Sequence, residues 1–453
     1  MEISKDLRLL AEKFKSNDFQ LYITGGFVRD SLMNLATKDI DIASNAPYEK
    51  VAEICKDLKY KCIPINKKLG TLKITTKTEE YEYTRFRSES YSQGNHTPDN
   101  VSFVDDIEID ALRRDLTINA LYYSITENRI IDLVHGQKDL QNKIIRTANH
   151  PSITLQDDGL RILRVIRFAS LLNFKIDKLT YKYLQSFRHK LKDISKERIL
   201  QELKYIVTSD LTHNLKNKVF IQVFNDLNLY TYIFNSRFSR VKLKKLDIQN
   251  YYQLSSLARL MGLYMVILKN YHKQYMSLSQ LKFTCNLLLG NDGLRESNSN
   301  ICTLEKLYLI FQNLEYNIDS INATINYLTL SNTEREIINA FLDKKAMGRL
   351  SDNISLIKSR NLPLGIQELD ITPQDLIDAK IESRYIGKIL HTLFNQVIEM
   401  KVLNQKSDLI ELAKNIHDTF TTITNQIEGE RNENNILPSR RESSQSKKTK
   451  KSR

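Results

Sequence analysis

The stretch from Leu21 to Ala43 constrains the fold more than any other part of the chain, because it combines an apolar run, a glycine pair and two alternating carboxylates in one supersecondary unit. Residues 21–24 are largely apolar and predict a short strand. Gly25 and Gly26 then predict a tight turn, where backbone N–H groups can approach an anion with no Cβ in the way. A short helix is predicted over residues 27–33, and its N-terminus points freed N–H groups toward the turn. The unit is therefore suited to holding phosphate.

Charged side chains that follow the turn in the chain sharpen this prediction. Arg29 lies in the first turn of the predicted helix and adds a cation whose forked geometry fits phosphate. Residues 39–43 alternate with period two, which predicts a strand with Asp39 and Asp41 on one face. A glycine pair is common, and an Asp-x-Asp sequence alone is more often a solvated strand face. Together they indicate a triphosphate site in which Asp39 and Asp41 are catalytic carboxylates that hold Mg²⁺.

Three more short strands are predicted between residues 62 and 84, and they complete a mixed sheet with the carboxylates at one edge. Glu82, in the last of these strands, is the candidate for a third catalytic carboxylate. Its spacing fits a second interpretation about equally well, in which Glu82 is an exposed strand residue whose charge offsets that of Arg85 or Arg87.

A second dense cluster of charged and polar residues spans residues 113–121. Two adjacent arginines are followed by Asp115 and Asn119. Such a set can clamp a nucleotide, because guanidinium groups take the phosphate charge while the acid and the amide bond sugar hydroxyls. Taken singly, Asp115 paired with Arg113 would more often be a structural ion pair. The cluster is a candidate nucleotide-binding segment.

The sequence changes character near Pro151 and is predicted to be helical from there on. Thr154 can cap a helix whose first turn carries Asp157 and Asp158. Three arginines follow at a spacing of three along one flank: Arg161, Arg164 and Arg167. Such a basic stripe is usually a solvated surface. However, a carboxylate at Asp158 accepts from the exocyclic amines of C or A, and the Arg161 guanidinium donates to ring nitrogens or the cytosine carbonyl, so the pair can select C and A against U and G.

Composition limits the class of protein. At 453 residues the chain is too long for one compact core and is expected to form several domains. Its net charge of +13 favours a polyanionic partner such as nucleic acid, although abundant Lys, Asn and Ile also fit a biased base composition. The chain opens without a secretory h-region and contains no apolar run of membrane-spanning length, so a reduced, cytoplasmic protein is expected. The four cysteines are too irregularly spaced for a Cys-x-x-Cys zinc site: Cys55, Cys62, Cys285 and Cys302.

The motifs together resemble a known superfamily. Gly-Gly-Phe-Val-Arg-Asp at residues 25–30 and Asp-Ile-Asp at residues 39–41 are similar to the first signature of polymerase-β-like nucleotidyltransferases, in the branch of CCA-adding enzymes and bacterial poly(A) polymerases. Residues 113–121 resemble the second motif of that branch. Residues 157–161 resemble its amino-acid template, in which an Asp and an Arg bond the base edge of CTP or ATP. The resemblance implies these nucleotide-binding residues: Gly25, Gly26, Arg29, Arg114, Asp115, Asn119, Asp158, Arg161, Arg164 and Arg167.

The same resemblance implies an architecture. The fold class is α+β, with a polymerase-β-like mixed sheet and helices followed by an all-helical neck, body and tail. Residues 194–203 resemble the last neck motif, whose expected role is to brace the template helix through Glu197 and Glu202. The polar segment 88–100 occupies the place of the flexible loop that takes part in switching from C to A addition. The expected boundaries are 1–150 for the catalytic head, 151–210 for the neck, 211–330 for the body, 331–425 for a tRNA-binding tail and 426–453 for a disordered basic extension.

The chain most resembles the class II CCA-adding tRNA nucleotidyltransferases, which implies Mg²⁺-dependent transfer from CTP and ATP to tRNA with release of pyrophosphate. No membrane and no obligate protein partner are implied. A bacterial-type poly(A) polymerase is the nearest alternative, and Leu69-Gly70-Thr71 argues against it because it is similar to the CCA-type His-Gly-Thr. A partial enzyme that adds only CC or only A, and a non-catalytic RNA-binding module on the same frame, are further alternatives.

Overall fold

The computed structural model describes residues 3–37, 39–90, 100–212 and 218–434. Contacts divide the chain into two compact units. The first comprises Met1–Gln312 and Ser331–Leu342, and the second comprises Asn313–Leu330 and the chain from Asp343 onwards. The described residues contain no helix that is long and apolar enough to cross a membrane.

A seven-stranded mixed sheet organises the N-terminal part of the first unit. The described residues form the following strands, of which β6–β7 and β10–β11 make two separate two-stranded sheets: β1 Leu21–Thr24, β2 Ile40–Ser44, β3 Lys61–Asn66, β4 Thr71–Thr75, β5 Glu80–Arg85, β6 Arg87–Ser90, β7 Asn100–Phe103, β8 Leu121–Ser124, β9 Arg129–Asp132, β10 Ile144–Ile145 and β11 Lys175–Ile176. In the large sheet the order is β3-β4-β5-β2-β1-β8-β9. The β2–β5 pair is parallel and its other pairs are antiparallel, as the predicted mixed sheet requires.

Helices make up most of the remaining structure. They are α1 Lys5–Ser16, α2 Gly26–Leu32, α3 Tyr48–Asp57, α4 Ile107–Leu112, α5 Gly136–Asn142, α6 Pro151–Asp157, α7 Leu160–Leu172, α8 Lys178–Phe187, α9 Lys196–Thr212, α10 Val219–Leu227, α11 Tyr230–Ile233, α12 Lys245–Tyr251, α13 Arg259–Tyr271, α14 Leu278–Leu289, α15 Asn298–Tyr316, α16 Ser320–Leu328, α17 Asn332–Phe341, α18 Lys344–Ser359, α19 Pro373–Asp378, α20 Ser383–Ile398 and α21 Lys406–Asn434. The predicted α+β class is confirmed.

Helix α1 forms because apolar side chains recur at helical spacing and because the Ser4 hydroxyl caps its first turn by accepting from the Leu7 N–H at 3.2 Å. Its apolar stripe is buried, and the ring centroid of Phe14 lies 6.3 Å from that of Tyr83 on β5. Cys55 on α3 is also buried, as the sequence predicts. These helices cover the sheet face that carries Tyr83, whereas Asp41 lies on the opposite face, where Asp41 itself is exposed and Ala43 is buried.

The structure corrects the predicted start of the template helix. Thr154 does not cap it, because Thr154 lies inside α6, which begins after His150. A break at Asp158 and Gly159 separates α6 from α7, and the Asp158 carboxylate accepts from the Leu160 N–H at 2.9 Å at the start of α7. Gly159 packs so closely that a Cβ there would lie 3.0 Å from the Lys190 carbonyl oxygen. The break thus depends on tertiary packing that local helix signals do not encode.

Three further predictions need correction or stay outside the description. The predicted loop 88–100 is wrong at its ends, because β6 and β7 pair antiparallel, while its central part, 91–99, lies outside the described residues. The chain after residue 151 is not wholly helical, because β11 pairs with β10. Helix α21 continues past residue 426, where the basic extension was expected to begin, and residues 435–453 lie outside the described part.

The second unit is helical and has its own core. Helices α20 and α21 pack together through a cluster of buried apolar side chains that includes Ile389, Leu393 and Leu409. A capping box begins α19, where the Thr372 hydroxyl accepts from the Asp375 N–H and the Asp375 carboxylate accepts from the Thr372 N–H. The second unit therefore packs around its own helical core.

Candidate active site

A cavity of about 780 Å³ lies in the first unit and collects most of the residues that the sequence analysis singled out. Ten of the predicted site residues line it: Gly25, Gly26, Arg29, Asp41, Arg114, Asp115, Asn119, Asp158, Arg161 and Arg164. Asp39, Glu82 and Arg167 are not among the lining residues. The remaining lining residues are Leu69, Arg87, Glu89, Arg113, Leu160, Phe168 and Arg198. The cavity thus joins segments from the sheet, the α6–α7 break and α9.

The turn after β1 requires glycine at its first position. Gly25 has φ +73°, a left-handed conformation that L side chains rarely adopt. A Cβ on Gly25 would lie 3.4 Å from Asp41 Oδ2, so this turn and the carboxylate are immediate neighbours. The arrangement follows from the sheet register, because Thr24 on β1 is the cross-strand partner of Asp41 on β2. The predicted juxtaposition of turn and carboxylate is present.

The three candidate carboxylates lie at the junction of β2 and β5. Asp39 is exposed and immediately precedes β2, while Asp41 and Glu82 are partners in the parallel register. Partial burial and the charges of Glu82 and Asp39 raise the pKa of Asp41 to about 6, and the nearby Arg114 cation acts in the opposite direction. Among the described residues, no group of three or more His, Cys, Asp or Glu side chains is arranged to hold a metal ion. Burial and the neighbouring carboxylates thus disfavour the ionised form of Asp41.

A chain of hydrogen bonds connects the glycine turn to the template helix. Arg29 is 5% exposed, and its guanidinium donates to the Asn119 side-chain oxygen at 2.6 Å and pairs with Asp30 at 2.7 Å. The Asn119 amide donates to Asp115 at 3.2 Å, and Arg164 of α7 donates to the other Asp115 oxygen at 2.7 Å. The bonds fix the relative positions of Arg29 and Arg164, 135 positions apart in the chain. The carboxylate and the amide from the second cluster therefore hold two cations in place.

The Asp115 carboxylate is the centre of this chain. Attraction to Arg164 and hydrogen bonds from Asn119 and Arg164 outweigh desolvation and hold its pKa down at about 2. Glu202 of α9 continues the network with distances of 3.6 Å to Arg164 and 3.1 Å to Arg167. Arg167 therefore braces α7 from outside the cavity lining, and Glu202 takes the bracing role that the sequence predicts.

Glu197, the other predicted brace, is exposed, whereas its neighbour Arg198 extends to Asp158. The Arg198 guanidinium lies 3.2 Å from Asp158 Oδ2. On the template itself, Arg161 is 8% exposed and donates to the Thr154 carbonyl at 3.2 Å and the Arg113 carbonyl at 2.8 Å. These bonds orient both template side chains at the wall of the cavity.

A buried carboxylate that the sequence analysis missed organises the arginine pair of the second cluster. Asp110 is fully buried, lies 2.7 Å from Arg113 and 3.1 Å from Arg114, and accepts from the Tyr122 hydroxyl at 2.6 Å. Arg114 and Arg113 together hold the pKa of Asp110 at about 2, against the effect of burial. The suggested ion pair between Arg113 and Asp115 is therefore wrong, because Arg113 pairs with Asp110 and Glu89. Asp110 lies on α4, three positions before Arg113 and four before Arg114. This helical spacing in the sequence could have revealed the pairing.

An aromatic ring in the cavity wall was also missed. The Phe168 ring centroid lies 5.1 Å from the guanidinium carbon of Arg29, 5.7 Å from that of Arg164 and 4.7 Å from that of Arg167. A ring face attracts cations, so Phe168 supports three arginines that would otherwise repel one another. Its position four residues after Arg164 on the same helical face was a usable signal.

Family models match two segments of the chain. Residues 21–146 match the model of the poly A polymerase head domain, and residues 173–217 match the model described as a probable RNA and SrmB-binding site of polymerase A. The first segment contains the glycine turn, the carboxylates and the second charged cluster. The second segment contains Arg198 and Glu202.

Similarity to known proteins extends over nearly the whole chain. The solved CCA-adding enzyme of Thermotoga maritima, complexed with tRNA, superposes with a TM-score of 0.61 at 19% identity, covering 91% of this chain and 96% of that one. A CCA-adding enzyme solved with CTP gives a TM-score of 0.64 at 19% identity, covering 92% and 95%. These likenesses show the fold. A CCA-adding enzyme of Ligilactobacillus salivarius is 30% identical over 427 residues, which cover 92% of this chain and 97% of the relative. The chain therefore belongs to the CCA-adding enzyme family.

Proposed function

We propose that the protein adds CCA to the 3′ ends of tRNA by transferring nucleotides from CTP and ATP, with release of pyrophosphate. The observation that carries the proposal is that one cavity is lined by the Gly25–Gly26 turn, the Asp41 carboxylate and the template pair Asp158 and Arg161. The cavity thus combines groups for phosphate, for the reacting centre and for the base. The tRNA substrate rests on the family and on the relative solved with tRNA.

The triphosphate end of the nucleotide is assigned to the glycine turn and its neighbours. Gly26 begins α2, Gly25 before it donates its N–H to the Leu121 carbonyl at 3.3 Å, and Arg29 lies in the last turn of this short helix. Arg29 is already aligned by Asn119, so little ordering of its side chain is needed on binding. We assign Arg114 to the phosphates as well, since it lines the cavity and is held by Asp110. These cations position the α-phosphorus for attack by the RNA 3′-hydroxyl.

The carboxylates fit a divalent cation. Oxygen ligands suit Mg²⁺, and Asp41 lies beside its register partner Glu82 on β5, with Asp39 two positions earlier in the chain. We assign Asp39 and Asp41 as the residues that would hold Mg²⁺, with Glu82 adding negative charge beside Asp41. When bound there, Mg²⁺ supplies charge stabilisation for the attacking oxygen and the departing pyrophosphate.

The template pair is assigned to base selection. The Asp158 carboxylate can accept from an exocyclic amine, which cytosine and adenine carry and uracil lacks, and Arg161 can donate to ring nitrogens. Arg198 holds the carboxylate and the Arg113 carbonyl holds the guanidinium, so neither is free to adopt the geometry that suits another base. Protein side chains thereby take the place of a nucleic-acid template.

The division of the chain into head, neck, body and tail is part of the proposal. We assign the catalytic head to residues 1–150, the neck to 151–210, the body to 211–330, the tRNA-binding tail to 331–425 and the basic extension to 426–453, whose first residues, up to Asn434, continue helix α21. The separately packed core of the second unit supports an independent role for the helices after residue 342. That unit also includes residues 313–330 of the assigned body, while residues 331–342 of the assigned tail belong to the first unit. We also retain a cytoplasmic location, which the sequence predicts.

The experiment that tests the proposal measures incorporation into three transcripts with Mg²⁺ and labelled CTP or ATP. One transcript is a tRNA ending before CCA, the second is a tRNA ending in CC, and the third is an unstructured RNA. We expect CTP and then ATP to enter the first tRNA, ATP alone to enter the second, and growth to stop once CCA is complete. Long runs of A on the unstructured RNA would instead identify a poly(A) polymerase. Addition that stops at CC, or that needs a CC end, would identify a partial enzyme.

The role of the carboxylates is tested separately. Asp39→Ala combined with Asp41→Ala should abolish incorporation, because the chain then lacks the groups assigned to Mg²⁺. Incorporation that survives this double change would refute the assignment. Glu82→Gln is a graded comparison and should reduce the rate less, since Glu82 is assigned only an added negative charge beside its register partner Asp41.

A further inference from the structure

A second cavity of about 230 Å³ lies beside the candidate active site. The two cavities share the turn at residues 67–70, because Leu69 lines the first one whereas Lys67 and Gly70 line the second. Two buried side chains, Leu72 and Tyr83, contribute an apolar surface to the second cavity. The cavity is thus a separate pocket, and none of the residues assigned to the reaction lines it.

Its walls carry two cations that face aromatic rings. The Lys67 ammonium nitrogen lies 5.7 Å from the Tyr48 ring centroid, and the guanidinium carbon of Arg85 lies 4.6 Å from the Phe103 ring centroid. Gly70 makes this packing possible, because a Cβ there would come within 2.6 Å of the Phe103 ring. Aromatic faces beside cations are the combination that protein surfaces use to stack bases and bind phosphate.

Arg85 differs from the arginines of the first cavity. Its Nε atom is buried and has no hydrogen-bond partner, and no carboxylate among the described residues forms an ion pair with it. The arginines around the active site pair with carboxylates, as shown by Arg29, Arg87, Arg113, Arg114 and Arg164. A partly buried cation with no carboxylate within ion-pair distance favours an anionic ligand.

We propose that this second cavity binds one nucleoside 5′-phosphate unit, with its phosphate on Lys67 and Arg85 and its base against the Tyr48 and Phe103 rings. The substrate class rests on the proposed function, and the pocket itself rests on its own geometry. Glu49, which also lines the cavity, can accept from the exocyclic amine of a base. The unit is either one nucleotide of the RNA strand or a free nucleotide.

The site is coupled to the reaction by its position. The Arg87 guanidinium donates to the Leu69 carbonyl at 2.7 Å, and both residues line the first cavity. A nucleotide bound against Gly70 therefore lies directly behind this part of the active-site wall. An RNA strand whose 3′ end occupies the first cavity can place an earlier nucleotide in the second one.

The test compares Lys67→Ala with Lys68→Ala. Both lysines are exposed and each change removes one charge, but Lys68 does not line the cavity. Three quantities are measured for the full-length chain: the Kd of a fluorescent tRNA transcript by anisotropy, the Kd of CMP by calorimetry, and the KM for CTP. Loss of a phosphate contact should weaken binding about fivefold in Lys67→Ala, while Lys68→Ala stays near wild type and the KM for CTP is unchanged in both.

The two sources of the ligand give different results. A weaker tRNA Kd assigns the site to the RNA strand, and a weaker CMP Kd with unchanged tRNA binding assigns it to a free nucleotide. Equal behaviour of the two lysine variants overturns the proposal. Phe103→Leu is a second test, expected to weaken the same ligand by lost stacking, with its melting temperature as the check on folding. Both Kd values are measured without turnover. A wild-type protein that incorporates no CTP would therefore refute the proposed function, and the comparison of Kd values would still test this pocket.

Discussion

Asp115→Asn is the most informative single substitution, because it keeps the size of the side chain and removes the charge at the centre of the network. In the native protein Arg164 makes two contacts of 2.7 Å with Asp115 Oδ2, and the other oxygen accepts from the Leu116 N–H at 2.8 Å and from Asn119 at 3.2 Å. The remaining carboxylate near Arg164 belongs to Glu202, at 3.6 Å. The substitution leaves Arg164 without its principal counter-charge.

The pKa of Asp115 gives the size of the effect. A carboxyl whose pKa falls from 3.8 to about 2 on folding contributes about 2 kcal/mol of stability at neutral pH. The contribution exists above the unfolded pKa and is lost as the pH falls through the folded pKa. The difference between wild type and Asp115→Asn should therefore be about 2 kcal/mol at pH 7 and roughly half of that near pH 3.

The assay is urea unfolding at several pH values, together with the KM for CTP and ATP. Because the chain has two compact units, we expect more than one transition, and the effect belongs to the transition of the first unit. Both KM values should rise about tenfold, since Arg29 and Arg164 lose their alignment. Glu127→Gln is the control, because it breaks an exposed pair with Arg129 and should cost less than about 1 kcal/mol. A destabilisation by Asp115→Asn that matches this control, or that does not shrink at low pH, would refute the reasoning.

Three further substitutions test other parts of the site. Arg198→Gln removes the partner of Asp158 and should raise misincorporation of UTP relative to CTP about tenfold, measured as a ratio of kcat/KM, and an unchanged ratio would argue against the role of Arg198. Gly25→Ala places a side chain at φ +73° next to Asp41, which should cost about 1–2 kcal/mol in thermal unfolding and lower kcat, and a variant with wild-type stability would contradict the inferred strain. Phe168→Leu removes the ring beside three guanidinium groups and should raise the KM for both nucleotides about fivefold, whereas equal KM values would show that packing alone matters there.

Local sequence patterns sufficed to predict the part of the site whose residues lie near one another in the chain. The turn at Gly25 and Gly26 and the strand with Asp41 lie within one β-turn-α-β unit, and their geometry follows from period-two and period-3.6 spacing. The observed β2 begins at Ile40, so Asp39 precedes the strand that was predicted to contain it. Strand ends fray, and such boundaries are the least determined by local signals.

Long-range contacts decide what the sequence patterns do not encode. Thr154 was a reasonable cap by residue type, but the start of α7 depends on the packing of Gly159 against Lys190. Likewise, nothing local to residue 158 indicates that Arg198, 40 positions later, pairs with Asp158. Networks of this kind form only after the helices pack.

The most direct test of the account is sequencing of tRNA 3′ ends after reaction with all four nucleoside triphosphates together. A transcript that ends before CCA should gain C, C and A in that order and nothing more. Asp158→Ala should also insert U or G, because the carboxylate at the cavity wall accepts from the amine that C carries at N4 and A at N6, where U and G carry a carbonyl oxygen. Wild-type products that contain U or G, or that carry long A tails, would contradict the assignment of this cavity to CCA addition.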